Sequence, residues 1–171
     1  TIVIEPDDTK IHRLALNSGY VEKALRYLHA LQLMALLIRP AALEAALRFT
    51  RDELDELADR FTSPGSAYLA DMLEAILKHT TLEPLYVILS ETNHLLEWGH
   101  HFAYYPSKRR TLSHLNKQVI AAFRQLNQGN ADSFADGIAD CYCYILVCMK
   151  KHMTEKYKFS NASNIRIPEK Y

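Results

Sequence analysis

Apolar residues recur at three- and four-residue intervals along most of this chain, the spacing of helices that bury one face. A first short stretch, Thr9 to Leu16, is stopped by Asn17-Ser18-Gly19. A second starts near Tyr20 and reads Val21, Ala24, Leu25, Leu28 and Leu31, then stays apolar on nearly every side to Ile38. A helix apolar all round belongs in the middle of a bundle. Pro40 removes a backbone donor and is expected to kink or interrupt this helix, which resumes through Leu43, Ala46, Leu47 and Phe49. Thr50 and Glu53 have the spacing of a capping box for a charged helix running to about Arg60.

Thr62-Ser63-Pro64-Gly65 marks a break, and helix resumes from about Ser66 to His79. Pro84 falls in the first turn of the next helix. Its apolar stripe reads Leu85, Ile88, Leu89, Thr92, Leu95, Gly99 and Phe102, and Tyr104-Tyr105-Pro106 ends it. Two long helices follow. One carries Leu112, Leu115, Val119, Ala122, Phe123 and Leu126 before Gln128-Gly129-Asn130, and the other carries Phe134, Ile138, Cys141, Ile145, Cys148 and His152. Beyond about Tyr157 the tail is polar and is expected to be loosely held.

The fold expected is all-α, an antiparallel bundle of six or seven helices with a central ligand cavity. Residues 1–19 form an opening segment with a short helix, 20–156 the helical domain, and 157–171 a polar tail. Composition agrees, since 5 Gly and 6 Pro are too few for the many turns of an all-β fold. With 49% hydrophobic and 23% charged residues, the chain has the balance of a globule rather than of a disordered segment.

Charge narrows the partners. Twenty basic and 20 acidic residues cancel, whereas a module that grips phosphates carries a basic excess. Cys141, Cys143 and Cys148 lie too close on one helix to bridge, and their spacing is no zinc pattern. Reduced thiols fit a cytoplasmic protein. The densest apolar run, Leu31 to Ile38, is too short to span a bilayer, and no signal-peptide pattern opens the chain, so no membrane association is expected.

Candidate chemistry is sparse. Glu91-x-x-His94 and Glu97-x-x-His100 imitate the di-iron motif, but that motif needs one copy on each of two helices. Here the copies are six residues apart on one helix and point roughly 120° away from each other. No nucleophile elbow and no glycine-rich phosphate loop occur, so an enzyme is not expected. The polar groups set among apolar helices are Arg39, Glu44, Tyr86, Asn93, Trp98, His101 and Tyr142. Arg39 needs a partner if buried. Glu44, five residues on across Pro40, is the expected one, and a ligand anion is the alternative.

Three stretches, in order, resemble a known family. They are Ile38-Arg39-Pro40-Ala41-Ala42-Leu43-Glu44 with Ala45-Ala46-Leu47-Arg48-Phe49-Thr50; then Glu83-Pro84-Leu85-Tyr86-Val87-Ile88-Leu89 with Leu96-Glu97-Trp98-Gly99-His100-His101-Phe102 and Tyr105-Pro106; then Gln128-Gly129-Asn130-Ala131-Asp132. About three quarters of the chain is similar to the C-terminal effector-binding domain of GntR-family transcription regulators, the FCD/FadR group, and to its fatty-acyl-CoA-responsive FadR type in particular. The resemblance implies a homodimeric regulator with a winged helix-turn-helix domain upstream. A chain starting at Thr1 fits the removal of such a domain, and DNA would be reached only through it.

Where many relatives of that group hold a metal, alignment on Pro84 and Gly129 puts Ala70, Glu74, Val119 and Cys141, so no metal and no cofactor are expected. The FadR type also lacks the metal. Its acyl-CoA contacts, a Gly-x-Glu-Ser run and a Trp on the last helix, are replaced here by Cys141-Tyr142-Cys143-Tyr144-Ile145-Leu146-Val147-Cys148-Met149. These apolar replacements suit a greasy effector such as a fatty acid or a thioester. The expected pocket is lined by Tyr86, Trp98, Phe123, Tyr142, Ile145 and Met149, with Arg39 or His101 meeting a polar head. The alternatives are a helical protein-interaction adaptor without a pocket and, behind it, a ferritin-like metal-dependent enzyme.

Overall fold

The computed structural model describes residues 18–62, 67–97, 108–155 and 165–168. Among these the structure is all-helical, with six helices and no strand: α1 Ser18–Ala46, α2 Arg51–Arg60, α3 Tyr68–His79, α4 Glu83–Glu97, α5 Lys108–Asn127 and α6 Ala131–Glu155. The first predicted helix, Thr9 to Leu16, lies outside the described residues.

The longest helix is also the central one: α1 packs against α3, α4 and α6. Its inner face is Ala24, Leu28, Leu31, Met34, Ala35, Ile38, Ala42 and Ala45, all closed to solvent. Two expectations fail here. Ser18 and Gly19, read as a stop, lie in the first turn of α1. Pro40, expected to kink or interrupt the helix, does not interrupt it: it sits inside a continuous one. It is exposed, so the turn that lacks its N–H lies on the watered side, where a missing bond costs least. Continuity also changes the hydropathy argument. The stretch Ala24–Ala46 is 23 residues, long and apolar enough by those two measures to cross a membrane. Half of it is buried against the other helices, as in the core helix of a globule.

The helix ends at Ala46, and Leu47, expected inside it, is 78% exposed in the following turn. The Thr50–Glu53 capping box is present in both directions, and it starts α2 where the sequence placed it. The α5–α6 connection is equally legible. Gly129 takes φ +79°, Asn130 N–H reaches the Gln125 carbonyl at 2.9 Å, and Gly129 N–H reaches that of Leu126 at 3.0 Å. That is a Schellman ending, which needs a residue without a Cβ in the left-handed position.

α5 and α6 then run back along each other, since Ala122 meets Gly137 and His114 stacks on Tyr144 at a 4.2 Å centroid distance. A Cβ at Gly137 would lie 2.8 Å from that of Ala122. Gly137→Ala gains up to about 1 kcal/mol of helix propensity. Ala122 has no flexible end to move, however, and forced overpacking costs about 1–3 kcal/mol. Overpacking wins. Gly137→Ala is expected to lower stability by about 1–2 kcal/mol in denaturant unfolding.

Residues 165–168 correct the expectation of a loose tail. Ile165 is 3% exposed, Lys150 Nζ on α6 donates to its carbonyl at 2.6 Å, and Gln32 Nε2 on α1 donates to the Arg166 carbonyl at 2.8 Å. This part of the tail therefore crosses from α6 to α1 and is held by both.

Candidate functional site

Four of the eight predicted lining residues meet in one interior. Phe123 on α5 and Tyr142, Ile145 and Met149 on α6 are buried in a single core cluster with the inner face of α1. Phe123 packs edge-on to Phe61, with centroids 5.2 Å apart, and Phe61 stacks at 5.0 Å on Tyr68 of α3. Burial pushes the Tyr142 phenol above its ordinary value, so it stays a neutral hydroxyl in an apolar surrounding. The Cys141 thiol is pushed up to about 12 for the same reason. A thiol so placed is no nucleophile at neutral pH. Cys141 Sγ donates instead to the Gly137 carbonyl at 3.3 Å.

Two of the others, Arg39 and Tyr86, do not join this cluster. Arg39 sits at the α1–α6 edge, where Nε donates to Asp136 at 2.6 Å and Nη2 to Asp132 at 3.0 Å. Those two carboxylates, Asp136 foremost, hold the guanidinium in its charged form. The expected partner Glu44 is elsewhere. Its carboxylate accepts the Thr81 N–H at 3.2 Å and the Thr81 hydroxyl, and it lies 3.4 Å from Arg48. The reason is the unbroken helix: five residues along a continuous α-helix turn through roughly 140°, so Arg39 and Glu44 face different neighbours. The Thr81 hydroxyl, then its N–H, holds the Glu44 carboxyl below the usual range, and this contact ties the end of α1 to the start of α4.

Tyr86 is 44% exposed. The inner face of α4 is Leu85, Leu89, Thr92 and Leu96, at alternate spacings of four and three, and Tyr86 is a quarter-turn off it. Ile88 and Leu95, assigned to the same stripe in the sequence, point outward too. Trp98 and His101 lie outside the described residues, as do His100 and the end of the predicted Gly-x-His stretch. Glu91 and His94 are exposed on α4, and among the described residues no group of three or more His, Cys, Asp or Glu could hold a metal ion.

One feature had no signal of its own in the sequence. Between α2 and α3 lies a shallow crevice, with Phe49, Leu57 and Ala75 lining it beside Glu53, Glu56, Glu74, Arg60 and Lys78. At its end His79 Nε2 is 3.0 Å from both carboxylate oxygens of Glu53 and its ring stands edge-on to Phe49. Glu53 also accepts the Thr50 N–H at 3.0 Å, the largest of several contacts that hold its carboxyl below the usual value. The capping box alone was readable. The imidazole is 26 residues further on and is brought in by the packing of α3.

A carboxyl held low in the folded state contributes its stabilisation above the unfolded value near 4.5 and loses it as pH falls through the folded value. The melting-temperature gap between the wild type and Glu53→Gln is therefore expected to be full at about pH 6 and to close towards about pH 3. A gap that stays constant across that range would mean that ionised Glu53 holds nothing.

In comparison with known proteins, no family model matches the chain, and no curated protein and no solved structure matches it either.

Proposed function

We propose that this chain is the effector-binding domain of a GntR/FadR-type transcription regulator, an antiparallel helical bundle that senses a largely apolar carboxylate or thioester such as a fatty acid or acyl-CoA. The observation that carries the reading is the shared interior of Phe123, Tyr142, Ile145 and Met149. A site for such an effector needs apolar walls with few polar groups, and the neutral Tyr142 hydroxyl supplies one. Support comes from the helix start at Glu83 and the glycine turn at Gly129, which lie within the stretches that carry the resemblance. Opening of this interior around an effector would bias two arrangements of the domain, and an attached DNA-binding domain would read the difference.

The test is thermal unfolding against fatty acids and acyl-CoAs of increasing length, CoA alone, and short carboxylates. A ligand at a hundredfold its Kd adds about 2.7 kcal/mol, a rise of roughly 5–10 °C for a domain of this size. The expected result is a rise that grows with chain length and is lost in Met149→Trp. No shift with any ligand, in protein shown free of co-purified lipid, would overturn the reading. The exposed apolar stripe on α4 favours a second one, a helical protein-interaction module without a small-molecule pocket.

A further inference from the structure

The docked part of the tail is built like a ligand. Ile165 puts an aliphatic side chain, 3% exposed, into the same buried cluster as Tyr142, Ile145 and Met149. Its carbonyl accepts from Lys150 Nζ on α6 at 2.6 Å, and the next carbonyl, that of Arg166, accepts from Gln32 Nε2 on α1 at 2.8 Å. One apolar group thus enters the interior, while two neighbouring oxygens stay at its rim on two side-chain donors. That is the outline of a small amphiphile, an apolar chain with an oxygen-bearing head.

The donors match another head better than the one they hold. Lys151 reaches Glu155 at 4.0 Å, whereas among the described residues the half-buried Lys150 meets no carboxylate, only the neutral Ile165 carbonyl. A hydrogen bond between a cation and an anionic oxygen is roughly twice as strong as a neutral one. A carboxylate standing where the Ile165 carbonyl stands keeps the Lys150 bond, adds the opposite charge and brings a second oxygen towards the Gln32 amide. The segment in place is lightly held, since Arg166 and Ile167, directly after the buried Ile165, are both exposed. Its hold rests on one side chain and two hydrogen bonds, and a segment held so opens locally before the helices do.

We propose that residues 165–168 are a displaceable stand-in for the effector: a free carboxylic acid with an aliphatic chain takes the seat of Ile165, sets its carboxylate on Lys150 and Gln32, and releases the segment. The proposal rests on the effector reading above and narrows it to a free acid rather than a thioester, because only the acid carries the charge that Lys150 is not given by the tail. It also supplies the head-group contact that Arg39 does not, the Arg39 guanidinium being held by Asp132 and Asp136. Binding exchanges a strap between α6 and α1 for a small molecule, and the freed segment is a change that an attached domain can read.

The test uses the full chain with decanoate, decanol and decanoyl-CoA, calorimetric titration for affinity, and tryptic cleavage after Arg166 for release. Saturating decanoate is expected to raise cleavage at that bond at least ~10-fold in the wild type, because cleavage follows the population of the open segment. Ile165→Gly removes the anchor without adding an acid that could itself pair with Lys150. Residue 165 lies outside the helices, so circular dichroism is expected to be unchanged. This variant is expected to bind decanoate at least ~10-fold more tightly than the wild type, since the competing side chain is gone and the open form dominates. In the same background decanoate is expected to bind at least ~10-fold more tightly than decanol, and Lys150→Met to abolish that preference.

Decanoate that binds the wild type without faster cleavage after Arg166 would overturn the proposal, and so would equal affinity for the wild type and Ile165→Gly. A preference for decanoate that survives Lys150→Met, or binding of decanoyl-CoA without binding of decanoate, would overturn it too. All four outcomes leave the effector reading standing, with the ligand seated elsewhere. If acid, alcohol and thioester all fail to bind any of these proteins, the effector reading falls and takes the proposal with it.

Discussion

Phe134→Ala is expected to cost about 3–5 kcal/mol, at least about a fifth of the roughly 5–15 kcal/mol such a domain has to lose. Phe134 is fully buried in the first turn of α6, directly after the glycine turn, and its N–H closes that turn on the Asn130 carbonyl at 3.0 Å. Its ring meets Phe49 edge-on at 6.4 Å, and Phe49 in turn meets His79 at 4.9 Å. One ring thus joins the start of α6, the turn after α1 and the end of α3. Truncation to Ala leaves a void that none of these fixed points can move to fill, so the cavity cost adds to the transfer cost. The melting temperature is expected to fall by roughly 6–20 °C. Phe134→Leu, which keeps most of the volume, is expected to cost no more than about 1.5 kcal/mol. An Ala variant within about 1 kcal/mol of wild type would mean that this junction is open rather than closed.

Phe134 also shows what the sequence made legible. Its place on the apolar stripe of the last helix, after Gly129, is a local pattern of period 3.6 opened by a turn residue, and both signals are carried by neighbours in the chain. The same holds for the Thr50–Glu53 cap and for the end of α2 at Arg60. Apart from the local stop and break signals misread along α1, what failed depended on partners distant in sequence. Arg39 was assigned to Glu44 by proximity along the chain, yet its carboxylates are 93 and 97 residues away. On α4, a helix rich in Leu, Ile and Val admits two stripes of equal quality. Only the packing against α1 decides that Leu85 and Leu89 face inward while Ile88 and Leu95 face out. The candidate pocket divides along the same line: residues on the helices with clear stripes, Phe123, Tyr142, Ile145 and Met149, meet, while Arg39 and Tyr86, on the two helices that are apolar on several sides, do not join them.

The tail is the sharpest instance, and it yields the second large effect. Ile165→Asp is expected to lower stability by about 2.5–6 kcal/mol, the sum of one buried aliphatic side chain and two hydrogen bonds to backbone carbonyls. A carboxylate cannot stay where Ile165 lies against the core, so residues 165–168 leave the surface rather than bury it. Lys150 and Gln32 then lose their acceptors to water, which replaces them at little cost, so the loss stops there. Tryptic cleavage after Arg166 is expected to accelerate in the variant, because a docked backbone resists the extended fit that a protease requires. The pairing with Gln32 gives an internal check. Gln32→Ala in the wild type is expected to cost about 1 kcal/mol, but close to nothing in the Ile165→Asp background, where the segment it holds has already left. Additive losses would show that Gln32 acts through another contact, and equal cleavage of both proteins would show that this part of the tail is not docked in solution.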